Sequence, residues 1–89
     1  MNERKLNGYK ELKSYNLNIK IGSLAEQYAN ETLDQIVIFT CNVSGQDCYG
    51  YRFVFKSGRH FENYGTLQFA YLKAEIFDNL MYFLREKAE

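Results

Sequence analysis

Gln35–Lys56, QIVIFTCNVSGQDCYGYRFVFK, is the stretch on which the fold turns. Residues 35–43 and 49–56 are both rich in β-branched and aromatic side chains, and Ser44, Gly45, Gln46 and Asp47 stand between them, so the segment reads as two strands joined by a turn. In the second strand Tyr49, Tyr51, Phe53 and Phe55 alternate with Gly50, Arg52, Val54 and Lys56, the period of a strand with one buried face. If Val37, Phe39, Cys41 and Val43 share that face, opposed positions must sum to an even number. This predicts Ser44 opposite Cys48 across a three-residue turn at Gly45, Gln46 and Asp47. In that register Cys41 points into the core and Cys48 points out. The same parity predicts a second three-residue loop at Ser57, Gly58 and Arg59, with Phe61 opposite Phe55 and His60 opposite Lys56.

Upstream, Tyr15, Leu17, Ile19 and Ile21 alternate with polar residues, which predicts a further strand ended by Gly22. Leu6 to Lys13 reads as a short first helix or a basic arm, with Gly8 interrupting the pattern. Ser23 followed three places on by Glu26 has the form of a capping box and predicts a helix of about ten residues from Leu24. Downstream, residues 67–87 contain no Gly or Pro, and Thr66 stands where a cap is needed. Phe69, Leu72, Ile76, Phe77, Leu80, Phe83 and Leu84 fall in one arc at 100° per residue, which predicts a long helix lying on the sheet. The expected fold is α+β: a small antiparallel sheet of three to four strands covered on one face by a long C-terminal helix, with a shorter helix near residues 24–33.

At 89 residues the chain has room for one core, and with 46% apolar residues, 8 Tyr and 7 Phe it has the material for it. It reads as a single domain over 1–89 with residues 1–5 loose. No apolar run approaches membrane-span length and no apolar leader follows Met1, so the expected location is cytoplasmic, without a membrane partner. Two cysteines and one histidine do not compose a zinc site, and no metal or cofactor is expected.

The net charge is zero, which argues against affinity built mainly on phosphate neutralisation. The charges are nevertheless segregated. Residues 1–20 hold five Lys/Arg against two acids, whereas 21–50 hold Glu26, Glu31, Asp34 and Asp47 and no Lys or Arg. Tyr71, Glu75, Asp78 and Tyr82 lie along the outward strip of the last helix, and Tyr is a residue of interfaces. These eight residues are the candidate partner-binding set. Arg52, Lys56, Arg59 and His60 are a second set, suited to nucleic acid or an acidic partner. A catalytic trio of Ser57, His60 and Glu62 would have to come from one hairpin, with no nucleophile elbow or oxyanion donor implied, so no catalytic residue is assigned. The sequence favours a small non-catalytic protein that regulates or inhibits by occluding a partner protein, in the manner of inhibitors carried by mobile elements. The alternatives are a nucleic-acid-binding module using the basic N-terminal region and the sheet face, and a self-associating homodimer pairing through an uncovered strand such as Tyr15 to Ile21.

Overall fold

The computed structural model describes residues 6–88. Its elements are β1 (Lys10–Lys20), a 3-10 turn (Glu26–Tyr28), β2 (Thr32–Val43), β3 (Gln46–Phe55), β4 (His60–Thr66) and α1 (Phe69–Leu84). The strands form one antiparallel meander in the order β1-β2-β3-β4, and α1 lies over β3 and β4. The class, the four-stranded sheet and the C-terminal helix are as the sequence predicts. The expectation of loose residues 1–5 lies outside the described residues.

The register of the central hairpin differs from expectation by three residues, and its turn is one residue shorter. Cys41 faces Cys48 and Val43 faces Gln46, leaving a two-residue turn at Ser44 and Gly45. Both turn residues have left-handed backbone, φ 52° and 85°, the conformation of the tight hairpin whose twist matches that of the flanking strands. Asn42 holds the turn, its Oδ1 accepting from the Gly45 N–H at 2.9 Å and its Nδ2 donating to Asp47 at 3.0 Å. Opposed positions sum to an odd number because β2 is buried on both faces, so its apolar residues are not confined to one parity.

On the helix side, Ile36, Ile38, Tyr51, Phe53 and Phe55 join Leu33, Leu72 and Phe83 in the main core. On the other side Val37, Phe39, Cys41 and Cys48 form a second cluster, roofed by Leu6 and Tyr9. A strand covered on both faces needs a continuous apolar run, and Ile36 to Phe39 supplies it. The roof is made by the segment expected to be a helix or a loose arm. Gly8 turns it (φ 66°), the Asn7 carbonyl accepts from the Asn42 N–H at 2.7 Å, and β1 then begins at Lys10, earlier than alternation alone suggests.

Cys48 is therefore not at the surface. Both thiols are buried, free and directly opposed across the strands. Burial first, then the neighbouring Cys48 thiol, push Cys41 up to about 11. Iodoacetamide at pH 8 is expected to alkylate Cys41 at least about 100-fold more slowly in the folded chain than in urea, because only the thiolate reacts. Fast labelling of the native protein would contradict the closed second cluster. Because the folded state holds this proton to higher pH than the unfolded state, the stability linked to it is intact below about pH 9 and is lost as pH rises toward 11.

The shorter helix is the three-residue 3-10 turn, and Ser23 does not cap it. Ser23 Oγ instead donates to Glu86 at 3.0 Å and accepts from the Lys87 N–H at 2.8 Å, tying the β1–β2 connection to the end of α1. The β3–β4 loop comes one residue earlier than predicted, closed by the Phe55 N–H on the Arg59 carbonyl at 2.9 Å. Phe61 therefore faces Phe53, not Phe55, and His60 faces Val54, not Lys56. Helix α1 starts at Phe69 with Gln68 at its cap position and no side-chain cap, while Thr66 ends β4.

Candidate protein-binding surface

Helix α1 is held to the sheet by a narrow face. Leu72 and Phe83 are fully covered, and Ile76, Leu80 and Asn79 are half-buried beside them. Asn79 anchors the helix by donating to the Tyr51 hydroxyl at 2.7 Å and to the Glu75 carbonyl at 3.0 Å. Burial pushes the Tyr51 phenol above its ordinary value, against the hydrogen bonds from Asn63 and Asn79 that act to lower it.

The remainder of the predicted apolar arc is in solvent. Phe77 is 62% exposed and Phe69 45%, although both were expected in the core. The cause is width: four strands about 4.8 Å apart make a broader surface than one helix of about 10 Å can straddle. Only one flank of α1 meets β3 and β4, and the rest of the apolar arc has no sheet beneath it. Seven of the ten large apolar side chains left exposed in the described chain lie between residues 64 and 82: Tyr64, Leu67, Phe69, Tyr71, Phe77, Met81 and Tyr82.

Of the strip expected to bind a partner, Tyr71, Asp78 and Tyr82 do face solvent, with Tyr71 at 65% exposure. Glu75 is drawn inward, where its carboxylate accepts from Thr66 Oγ1 at 3.5 Å. Beside Tyr82 a cleft of about 200 Å³ opens between the 3-10 turn and α1, lined by Ala25, Tyr28, Phe61, Asn79, Tyr82 and Phe83. It is smaller than the roughly 300–1,000 Å³ of small-molecule sites, and suits a single side chain.

The acidic residues do not form one patch. Glu26 pairs with Lys87, whose hydrogen bond and charge lower the Glu26 carboxyl from its usual value, and Glu31 pairs with Arg59 at 3.2 Å. Asp47 lies at the start of β3 and Arg59 just beyond its end, so about 30 Å of strand separates Asp47 from the Glu31 pair. Asp34 stands exposed on β2.

The second set is also divided. Arg52 Nε donates to Glu62 at 2.6 Å, with its guanidinium over the rings of Tyr9 and Phe39. Arg59 lies 4.4 Å from the Tyr28 ring centroid and donates to the Gln27 carbonyl at 2.8 Å. Both arginines thus brace the fold, while Lys56 and His60 stand in solvent. Glu62, engaged by Arg52, is not an orienting partner for His60. Among the described residues no three His, Cys, Asp or Glu side chains cluster as metal ligands, and no helix is long and apolar enough to cross a membrane.

Compared with known protein families, curated proteins and solved structures, the chain shows no significant match. Its surface has to be read from its own chemistry.

Phe77, Met81, Leu67 and Phe69 are surface residues that periodicity alone does not mark as such. A signal was present: the apolar positions of 69–84 cover more of the helix circumference than contact with one sheet requires. The β1 edge, by contrast, is interrupted by irregularities between Glu11 and Lys13 and between Asn16 and Ile19. Such bulges, with Lys10, Lys13 and Lys20 along the strand, are devices that blunt an edge against pairing.

Proposed function

We propose that this chain is a small non-catalytic protein that regulates or inhibits another protein by occluding part of its surface. The observation that carries the reading is the concentration of exposed aromatic and apolar side chains on the outer side of α1 and the adjoining end of β4. Patches of this kind mark interaction sites, and tyrosines next to a cleft that admits one side chain have the character of binding hot spots. The Tyr71, Asp78 and Tyr82 flank is the partner-facing part. The internal engagement of Arg52 and Arg59 weakens the nucleic-acid alternative.

A photoreactive phenylalanine at position 71 tests this in lysate treated with nuclease. Crosslinking to one protein is expected, with none from the same group at position 56. Capture is expected to fall about tenfold or more in the Tyr71→Ala, Tyr82→Ala double variant. Capture that disappears with nuclease, or that ignores the double substitution, would overturn the reading.

A further inference from the structure

The exposed half of α1 carries a second pattern that sheet packing does not use. Ala70, Ala74, Phe77, Met81 and Leu84 follow one another at spacings of four, three, four and three, the spacing of a coiled-coil seam. Leu84 is half-buried and the other four are exposed. At 100° per residue the seam lies well away from Leu72 and Phe83, which bind the helix to its own sheet. The helix is already formed and fixed by that sheet, so a second helix docking on the seam would not have to provide the cost of ordering it.

Charge selects the occupant and its direction. With Ala74 and Met81 at the a positions and Ala70, Phe77 and Leu84 at d, Lys73 falls at g and Asp78 at the following e. Both are exposed, and neither forms an ion pair among the described residues. In a parallel pair of identical helices, each g position meets the next e position of its partner, so Lys73 of each copy meets Asp78 of the other, twice about the two-fold axis. An antiparallel pair centred on Phe77 would set Asp78 against Asp78.

We propose that a second copy of this chain docks on the Ala70–Leu84 seam, with the two α1 helices parallel and the two sheets on the outside. This rests on the reading of α1 as a protein-binding face. It assigns the Phe77 side, with Asp78 at its border, to self-association and leaves Tyr71 and Tyr82 for another protein.

Light scattering on the eluting full-length chain tests the proposal. At about 100 μM the expected mass is twice the monomer's 10.5 kDa, returning to monomer on dilution. Phe77→Glu is expected to be monomeric with an unchanged far-ultraviolet dichroism spectrum, since the side chain stands in solvent. Lys73→Glu and Asp78→Lys are each expected to weaken the dimer about tenfold, and the double swap to restore it. A wild-type monomer at millimolar concentration, a Phe77→Glu dimer, or a swap that fails to restore association would each overturn the second copy as occupant. If crosslinking from position 71 still captures another protein in that event, the regulator reading stands alone; if it also fails, both fall.

Discussion

Phe83→Ala is expected to lower the unfolding free energy by about 3 to 5 kcal/mol, the range for removing a buried aromatic side chain. The ring is 2% exposed and sits among five others, with centroids 5.3 Å from Tyr28, 5.5 Å from Phe53, 5.7 Å from Phe55, 5.4 Å from Phe61 and 5.8 Å from Tyr82. Four of these contacts are edge-on arrangements that aromatic quadrupoles favour, with Tyr28, Phe55, Phe61 and Tyr82. The rings come from the 3-10 turn, two strands and the helix, so no one element can relax to fill the space without moving another. For a domain of this size, with total stability of about 5 to 15 kcal/mol, the loss takes a large share. Phe77→Ala, in the same helix but facing solvent, is expected to cost about 0.5 kcal/mol where the chain is monomeric. Urea unfolding of the two variants side by side separates them. Equal losses would mean that α1 is rotated about its axis relative to the arrangement described.

Gly22→Ala is expected to cost about 3 kcal/mol, although alanine is among the smallest changes a chain can receive. Gly22 crosses the end of α1, where a helix leaves its last carbonyls without partners. Its N–H donates to the Phe83 carbonyl at 2.8 Å, and the Leu24 N–H donates to the Arg85 carbonyl at 3.0 Å, so the β1–β2 connection caps the helix with its own backbone. A β-carbon at Gly22 would lie 2.2 Å from the Arg85 carbonyl oxygen and 2.8 Å from that of Leu84. The obstacle is main chain, which cannot swing aside as a side chain would. Relief requires the connection to lift from the helix, breaking both hydrogen bonds and loosening the Ser23 contacts with Glu86 and Lys87. Hydrogen exchange should report this as lost protection at Gly22 and Leu24 while β2 and β3 keep theirs. A variant within 0.5 kcal/mol of the parent would show that this crossing is not tight.

The candidate surface was only half legible in advance. Tyr71, Asp78 and Tyr82 were placed on the outer side of the helix because they lie opposite its apolar arc, and they do face solvent. Phe77 and Met81 were not singled out as surface residues, since periodicity says that apolar residues share a side and not how much of that side a neighbour covers. Glu26, Glu31, Arg52 and Arg59 resemble a binding set in sequence because charge is visible there and pairing is not. Three ion pairs, each joining residues at least ten apart, use these four side chains within the fold.

The elements that depend on local pattern are readable from the residues alone: alternation for β1 and β3, turn residues between β2 and β3, and an uninterrupted apolar period for α1. Local pattern sufficed there because side-chain spacing and turn chemistry act over a few residues. The hairpin register, the burial of Cys48, the shrinking of the second helix to three residues and the exposure of Phe77 come from packing between distant segments. Each of these depends on what lies across a face: Leu6 and Tyr9 over the far side of β2, the end of α1 over Ser23, and a sheet wider than the one helix upon it. The hydrophobic effect rewards burial without specifying which part of the chain does the covering, so that choice emerges only when the whole chain has folded together.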